Sequence, residues 1–511
     1  MRIVSSETMR SLDQRTIQEL GLPSLVLMER AALGVLTALR EHFPQSLQAV
    51  HILVGTGNNG GDGLALARML DGQGVPVKVW LSDRSAKRSP DNGKQQEMVN
   101  KLPIPCLWLE EVADWQSQMA QASLIVDSLF GVGLSRAITG PWAEVMVYLN
   151  GLAVPVVAVD IPSGIGADTG VPLGDLALRA ELTVTCGLPK WGLLMDPALD
   201  YVGQLEMVDI GIPPAYASQV AGGHLLDLPL AASLAPPPRR RNSHKGSYGR
   251  LLIVAGSLGM GGAAAIATEA ALRSGAGLVY VYVPASIQAQ VAIQVPQALV
   301  FPLQEQDGKI CLEALEQLAE PLKSAKAVLL GPGLGQAEAT GAFVSALLKQ
   351  MSQPLVLDAD GLNHFAKAPQ PFQSPTIITP HAGELARLLG NEISEIQNNR
   401  LHALHQGAKQ FNCTHILKGA RSLIGTPDGR CWVNTSGNPA LARGGSGDVL
   451  AGLLAGLLAQ GYPPEAAALL GVYWHGLAAD LAASELSAAC LSLKELLGCL
   501  PAALARLQTG G

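Results

Sequence analysis

The sequence contains few aromatic and few charged residues. Phe, Trp and Tyr make up 4% of its 511 residues and the charged residues 15%, whereas hydrophobic residues make up 48%. A chain this apolar is not intrinsically disordered. Its net charge of −7 and the lack of a long basic run argue against nucleic acid as the main partner. The length predicts about two to four domains.

Long apolar runs and paired cysteines are also missing. The most apolar stretches, around 449–458 and 263–271, are too short to cross about 30 Å of hydrocarbon. The first residues, MRIVSSETMRSLDQR, lack the apolar centre of a signal peptide. The seven cysteines form no CxxC pair, which predicts reduced thiols rather than disulfides or a zinc site. We therefore expect a cytoplasmic protein without a membrane partner.

Glycine is abundant, with 56 residues, and short apolar runs alternate with helical patterns in two blocks. In the first block a helix begins at Ser24, and the predicted strands are 49–54, 75–81, 124–126, 154–159 and 182–185. In the second they are 251–255, 278–283, 327–330, 355–357, 376–378 and 416–417, followed by helices 448–459 and 465–484. Such alternation predicts two α/β domains with parallel sheets, the first a Rossmann-like doubly wound sheet.

A segment rich in proline and arginine separates the two blocks. Residues 227–243 contain three consecutive prolines followed by three arginines and show no apolar period. We interpret this segment as a linker between a first domain, 1–226, and a second, 244–505.

Ligands of open parallel sheets bind at the carboxyl ends of the strands. In the first block these ends carry the segments 54–63, 126–134 and 159–164, each with glycine and an Asp or Asn side chain. The pattern Gly55-x-Gly57-x-x-Gly60, with Asp83 at a suitable distance, also matches a dinucleotide fingerprint. However, Asp62 would repel a pyrophosphate at the helix start. The Asn and Asp oxygens favour a cation or acid–base site, and capping of turns remains the alternative.

In the second block the strongest motif is Gly444-Gly445-Ser446-Gly447-Asp448 at the start of an apolar helix. Glycine amides there can bind an anion, and Asp448 can accept the proton of a hydroxyl that attacks phosphorus. Helix capping by Asp448 is the alternative. No P-loop signature, GxxxxGK[ST], occurs in the sequence.

Other predicted strand ends of the second block supply further polar groups. They are the glycine-rich turn 330–335, the two acids of 357–363, His381 in the segment 379–384, and the cationic and hydroxyl groups of 418–422. Residues 418–422 suit phosphate or ribose contacts. For His381 a structural role and a ligand-binding role are equally compatible with the sequence.

The motifs NNGGDG, VDIPSG, GPGLG, PHAGE and GGSGDVL occur in this order. With them the first block resembles the NAD(P)H-hydrate epimerase domain, and the second resembles the ribokinase-like domain of NAD(P)H-hydrate dehydratases. The fusion is similar to bacterial bifunctional nicotinamide nucleotide repair proteins. One departure is Ser446, where related proteins often carry Thr.

In the first domain the resemblance implies interconversion of the R and S epimers of hydrated NADH or NADPH at C6 of the nicotinamide ring. A potassium ion would be held by Asn59, Asp127 and Ser163. We expect Asp160 to be the acid–base residue, with Asp62 and Lys190 as weaker candidates. The implied substrate-binding residues are Asn58, Asn59, Gly60, Gly61, Asp62, Gly131, Val132, Gly133, Leu134, Ser135, Arg136, Ala137 and Asp160.

In the second domain the resemblance implies dehydration of the S epimer at the expense of ADP, with magnesium and with Asp448 as base. The S hydrate would contact Ala263, Gly333, His381 and Asp448. The nucleotide would lie along Lys418, Gly419, Ala420, Arg421, Ser422 and Gly447. The expected partners are these small molecules and further copies of the chain in a homo-oligomer.

Two other functions are compatible with the motifs. The first is a ribokinase-like small-molecule kinase with a non-catalytic, nucleotide-binding first domain, which would release a stable phosphorylated product. The second is a Rossmann dehydrogenase, which would transfer a hydride and need no nucleoside diphosphate.

Overall fold

A computed structural model describes residues 1–82 and 84–510. Asp83, considered above as a ribose-binding acid, lies outside the described residues. The chain divides into two compact units, Met1–Gly223 and His224–Gly511.

The first unit contains a parallel sheet of seven strands. The strands are β1 (Val50–Val54), β2 (Val77–Leu81), β3 (Cys106–Trp108), β4 (Leu124–Ser128), β5 (Val156–Val159), β6 (Leu182–Cys186) and β7 (Gln204–Val208). Their order across the sheet is β3-β2-β1-β4-β5-β6-β7. The order reverses between β1 and β4, where a crevice opens at the carboxyl ends of the strands.

Helices cover both faces of this sheet. They are Ser6–Gln18, Ser24–His42, Asn58–Asp71, Pro90–Val99, Trp115–Met119, Pro141–Asn150, Leu199–Val202 and Pro214–Gln219. Buried Val, Leu and Ile side chains of β1, β2 and β4 pack against helices Ser24–His42 and Asn58–Asp71. Because helix Asn58–Asp71 starts four residues after β1, the motif NNGGDG forms its first turns beside the crevice.

The second unit contains a larger, mostly parallel sheet. Its strands are β8 (Gly223–Leu226), β9 (Arg250–Val254), β10 (Leu278–Pro284), β11 (Leu299–Leu303), β12 (Ala327–Leu330), β13 (Leu355–Leu357), β14 (Thr376–Ile378), β15 (Thr414–Leu417), β16 (Leu423–Gly425) and β17 (Cys431–Asn434). Their order is β8-β17-β16-β15-β14-β13-β12-β9-β10-β11, with β16 antiparallel to both neighbours. In this sheet the strand order reverses between β9 and β12.

The helices of the second unit are Leu228–Ser233, Gly261–Arg273, Gln288–Gln294, Ala314–Ser324, Glu338–Gln350, Asp360–Phe365, Ala382–Leu389, Ile393–Asn398, Arg400–Phe411, Ser446–Ala459, Pro464–Glu485 and Leu493–Thr509. Helix Ser446–Ala459 packs closely on Gly261–Arg273, since a Cβ at Gly452 would lie 2.1 Å from the Ala267 carbonyl oxygen. Helix Pro464–Glu485 is long and apolar enough to cross a membrane, but 78% of its most apolar window is buried inside the protein. Such burial is typical of a core helix.

The structure differs from the expected organisation in two respects. Part of the predicted linker is ordered on the second unit: Leu228–Ser233 is a helix capped by Asp227, and Arg239 donates to the Gly275 carbonyl oxygen over 2.6 Å. The sequence patterns also missed β3, β7, β8, β11, β16 and β17. All seven cysteines are free in the structure.

Candidate functional sites

A cavity of about 670 Å³ opens at the carboxyl ends of β1, β4 and β5 in the first unit. Helix Ser6–Gln18 forms part of its wall through Met9, Arg10, Asp13 and Ile17. Most of the substrate-binding residues implied above line this cavity. They are Asn58, Asn59, Asp62, Gly131, Val132, Gly133, Leu134, Ser135, Arg136 and Asp160.

Three implied residues do not line the cavity. Gly60 and Gly61 are buried in the first turns of helix Asn58–Asp71. A Cβ at Gly61 would lie 2.5 Å from the Met28 methyl group, so this glycine allows close helix packing. Ala137 lies beside Gly174, whose Cβ position is 2.9 Å from the Ala137 Cβ.

Asp160 and Lys190 form an ion pair at the bottom of the cavity. Lys190 Nζ lies 2.5 Å from Asp160 Oδ1, and its side chain is 1% exposed. Lys190 also donates to Thr185 Oγ1 over 3.0 Å and to the Cys186 carbonyl oxygen over 2.8 Å. Asp160 has a left-handed φ of 68°, a strained conformation that is often found at functional sites.

Two further carboxyl groups lie close to this ion pair. Burial raises the pKa of Asp13 to about 6, an effect that Lys190 opposes and Asp160 reinforces. Burial also raises the pKa of Asp62 well above its usual value, and the charges of Asp160 and Asp13 add to the shift. Asp13 can therefore exchange a proton with a ligand in the cavity near neutral pH.

Asp127 and Ser163 are hydrogen-bonded to each other and to the amides of Leu129 and Phe130, which line the cavity. The Ser163 amide donates to Asp127 Oδ2 and its hydroxyl to Oδ1, each over 2.7 Å. Burial raises the pKa of Asp127 to about 6 although these hydrogen bonds lower it. Among the described residues, no partner is found for the buried side-chain oxygen and nitrogen of Asn59.

In the second unit, Lys418 lies among acidic side chains at the carboxyl ends of β13 and β15. Its Nζ is 3.0 Å from Asp358 Oδ1 and 3.8 Å from Glu384 Oε2. Burial lowers the pKa of Lys418, but the charges of Asp358 and Glu384 raise it, and the net shift is upward. A Cβ at Gly447 would lie 3.6 Å from Lys418 Nζ and 3.9 Å from Asp358 Oδ2, so the glycine motif borders this cluster.

Asp448 occupies the first turn of helix Ser446–Ala459. Burial raises its pKa to about 7, with further upward contributions from Asp358 and Asp360 and a downward one from Lys418. The turn begins at Gly445, whose φ of 92° favours glycine. Amide groups of a first helical turn lack intrahelical acceptors and can bind an anion.

Of the other implied residues of the second domain, Gly333 and His381 follow β12 and β14, and Ala263 lies in the first turn of helix Gly261–Arg273. Ala263 and Gly333 face each other, since a Cβ at Gly333 would lie 3.0 Å from the Ala263 Cβ. His381 caps helix Ala382–Leu389 by accepting from the amides of Gly383 and Glu384 through Nδ1.

In the segment 418–422, Arg421 donates to the Thr435 carbonyl oxygen over 2.5 Å and Ser422 to the Gly419 carbonyl oxygen over 3.4 Å. Gly419 packs against the Arg400 guanidinium group, and Ala420 lies in the bend between β15 and β16. These residues follow β15 directly, next to Lys418.

Comparison with known proteins identifies the family. Residues 251–501 match the family model described as NAD(P)H-hydrate dehydratase, and residues 24–192 match that of the YjeF-related protein N-terminus. The bifunctional NAD(P)H-hydrate repair enzyme of Moorella thermoacetica is 39% identical over 99% of this chain and 97% of its own length. That of Gloeobacter violaceus is 39% identical over 94% of both chains. The chain belongs to the family of bifunctional NAD(P)H-hydrate repair enzymes.

Solved structures agree with the family assignment for the second unit. The ADP/ATP-dependent NAD(P)H-hydrate dehydratase from Bacillus subtilis, co-crystallised with ATP and Mg²⁺, has a TM-score of 0.50 and 33% identity. The match covers 56% of this chain and 100% of that one. A ribokinase-like superfamily protein from Enterococcus faecalis has a TM-score of 0.50 and 28% identity, with coverage of 56% and 96%. The predicted ribokinase-like fold of the second domain is thus confirmed.

In this repair-enzyme chain the sequence did not point to Asp13, and it gave Asp358 and Glu384 only as parts of motifs without a role of their own. The weaker acid–base role of Lys190 stays a prediction, although the structure places Lys190 beside Asp160. Asp13 lies in a helix without a recognisable motif. Asp358 and Glu384 lie in motifs that the sequence did single out. Asp358 directly follows β13, and that position was the signal that could have identified it, whereas Glu384 lies in the first turn of helix Ala382–Leu389.

Proposed function

We propose that this enzyme restores NADH and NADPH from their hydrates. The first domain interconverts the R and S epimers at C6, and the second dehydrates the S epimer at the expense of ADP. The observation that carries the proposal is Asp448, a half-buried carboxyl group at the start of a glycine-rich helical turn, where partial burial raises its pKa to about 7. The full-length relatives named NAD(P)H-hydrate repair enzymes support it.

Dehydration is difficult because hydroxide is a poor leaving group. Asp448 takes the proton of the C6 hydroxyl while that oxygen attacks the terminal phosphorus of the nucleotide. The Gly447 region and Lys418 bind the transferring phosphoryl group. The C6–O bond then breaks, phosphate leaves with the electron pair, and loss of the C5 proton restores the dihydronicotinamide ring.

Magnesium fits the second site through Asp358. Oδ1 of this buried carboxylate accepts from Lys418 and Thr379, whereas Oδ2 lies 3.9 Å from the Cβ position at Gly447. We propose that Asp358 holds magnesium through Oδ2. When bound, the ion would neutralise phosphate charge. Lys418 and the amides at the start of helix Ser446–Ala459 also orient the phosphates.

Potassium fits the first site through Asn59, Asp127 and Ser163. The unpartnered Asn59 oxygen and the buried Asp127 carboxylate are oxygen ligands of the kind that hard cations prefer. We propose that these three residues hold potassium. When bound, the ion would favour the ionised form of Asp127 and fix the loop after β4. Asp160 serves as the acid–base residue while the C6–O bond breaks and forms again on the other face.

We also propose that the enzyme acts in the cytoplasm and forms a homo-oligomer, as composition and cysteine pattern indicate. The kinase alternative is less well supported, because it assigns no reaction to the first domain and predicts a stable phosphorylated product.

The decisive experiment follows the near-ultraviolet absorbance of the reduced nicotinamide ring on mixed hydrate epimers, with magnesium, potassium and ADP, ATP or no nucleotide. We expect full recovery of NADH with ADP, together with one phosphate released per NADH formed. An accumulating phosphorylated hydrate would support the kinase alternative. The lack of any nucleotide-dependent rise would contradict the dehydratase function.

A further inference from the structure

The N-terminal helix Ser6–Gln18 belongs structurally to the cavity of the first domain. Met9, Asp13 and Ile17 are spaced by four residues and therefore share one helix face, which lines the cavity. Arg10, which follows Met9 in the helix, donates to the Val132 carbonyl oxygen over 2.6 Å. This helix precedes the segment 24–192 that matches the family model.

Two contacts fix the position of this helix. The Ser6 amide and hydroxyl donate to the two oxygens of Asp168 over 2.6 Å and 2.7 Å. The Val4 amide donates to the Pro189 carbonyl oxygen over 3.0 Å, which places the start of the helix beside Lys190. The helix is thus held against the segment that carries the ion pair with Asp160.

Asp13 is the acidic side chain that this helix contributes to the cavity. Its Oδ1 is buried, and among residues 1–82 and 84–510 no hydrogen-bond partner is found for it. An unpartnered buried carboxyl oxygen costs free energy. Such a group is retained where a ligand or a transferred proton becomes its partner.

Asp160 alone cannot complete an epimerisation. Its Oδ1 accepts from Lys190, from the Thr185 hydroxyl over 3.2 Å and from the Cys186 amide over 3.1 Å, so this oxygen carries no proton. Only Oδ2 remains, 3.6 Å from the Cβ position of the cavity-lining Gly131. Inversion at one carbon needs a proton donor for the departing hydroxyl and an acceptor for the arriving water.

We propose that Asp13 is a second catalytic residue of the epimerase site, acting as the proton donor to the C6 hydroxyl. This inference rests on the epimerase activity proposed above. The C6–O bond breaks, water leaves with the electron pair and the Asp13 proton, and the lone pair of the ring nitrogen forms a nitrogen–carbon double bond. Water then adds to the other face of C6, and its proton goes to Asp160 Oδ2. Proton exchange between the two carboxyl groups restores the starting state.

The electrostatics of the cavity are consistent with this role. Burial raises the pKa of Asp13 to about 6, so protonated and ionised forms are both populated near neutral pH. The ionisable groups around it are Asp62, Asp160, Lys190 and Cys186, which also line the cavity.

The test compares Asp13→Asn, Asp13→Glu and Glu7→Gln in the full chain. Glu7 lies on the same helix but is exposed and outside the cavity, so it controls for loss of charge. The conversion of purified R hydrate to S hydrate is measured by NMR without nucleotide, with kcat and KM determined separately. We expect Asp13→Asn to lower kcat by about 100-fold or more with KM changed less than about threefold. Asp13→Glu should recover part of the activity, and Glu7→Gln should equal the parent.

Three results would overturn the inference. Asp13→Asn with a kcat within about threefold of the parent would show that its carboxyl group transfers no proton. A loss confined to KM, or one that Asp13→Glu does not restore, would assign Asp13 to binding or folding. If the parent itself converts R hydrate no faster than buffer does, the proposed epimerase function fails, and the role of Asp13 fails with it.

Discussion

Lys190 Nζ lies 2.5 Å from Asp160 Oδ1, and this pair closes the bottom of the cavity of the first domain. Both residues follow strands of one sheet, β5 and β6, and they are 30 positions apart in sequence. Lys190 also donates to the Thr185 hydroxyl and to the Cys186 carbonyl oxygen. With Asp160 Oδ1, its ammonium group therefore has three oxygen acceptors. This ion pair holds Asp160 Oδ1 in place, so Asp160 Oδ2 is the oxygen that can exchange a proton with a substrate.

Replacing Lys190 with Met should destabilise the first domain. The substitution leaves the Asp160 carboxylate buried without its counter-charge, which costs about 3 kcal/mol in the free energy of unfolding. Urea unfolding measures this change. Lys94→Met removes an exposed lysine that pairs with Asp91 over 3.4 Å and should cost less than about 1 kcal/mol. Equal losses in both variants would contradict the structural role of Lys190.

The pH dependence of dehydration should follow Asp448. Its carboxyl group must be ionised to take a proton, and burial raises its pKa to about 7. We therefore expect kcat/KM with S hydrate and ADP to rise about tenfold per pH unit below pH 7 and to level off above it. Asp448→Asn should abolish the reaction, while R-to-S conversion in the same chain continues at the parental rate. A flat profile between about pH 5.5 and pH 8.5 would rule out Asp448 as the base.

Removing the charge of Asp127 should raise the potassium concentration that the epimerase reaction needs. Asp127→Asn keeps the size of the side chain but loses the anion that would attract the cation. In a titration with KCl, with choline chloride holding the ionic strength constant, the concentration for half-maximal epimerisation should rise at least about tenfold. Asp175→Asn, an exposed substitution in the same domain, is the control. Parental potassium dependence in Asp127→Asn would place the ion elsewhere.

The second domain should lose stability in mild acid because of His415. Burial lowers the pKa of this imidazole to about 3, and no hydrogen-bond partner is found for either ring nitrogen within the described chain. The unfolded chain, with an ordinary pKa near 6.5, therefore binds a proton that the folded state excludes. Between pH 7 and pH 5 this group removes about 2 kcal/mol of stability.

His415→Met should remove that part of the acid sensitivity, since Met fills the same space without titrating. Urea unfolding at pH 7 and pH 5 gives the difference for each variant. The exposed His402→Gln should retain the parental difference. If His415→Met loses as much stability in acid as the parent, His415 is not the group responsible.

The sequence predicted those parts of the fold whose physical cause is local. Runs such as 327–330 are buried on both sides and consist of Ala, Val and Leu, so they match the observed strands. Strand β3 was missed because it has three residues, all only partly buried, and β7 because it carries Gln204 and Glu206. Their place in the sheet is set by neighbouring strands and not by their own pattern.

The functional sites likewise contain features that could be recognised from the sequence and features that only the folded chain reveals. The glycine-rich turns and Asp448 were recognisable because the motif and the helix start coincide in the sequence. The presence of Asp13 in one cavity with the Asp160–Lys190 ion pair was not, since a helix and two loops far apart in sequence bring these side chains together. The raised pKa of Asp13 comes from burial, which no single residue type reveals.

The central claim is that one chain performs both reactions, and pure R hydrate tests it most directly. With the parent enzyme, ADP, magnesium and potassium, we expect complete recovery of the absorbance of the reduced nicotinamide, faster than spontaneous epimerisation allows. The variant Asp448→Asn should convert R to S hydrate but form no NADH. If the parent restores NADH from R hydrate only at the spontaneous rate while it dehydrates S hydrate rapidly, the first domain is not an epimerase and the account of a bifunctional enzyme is wrong.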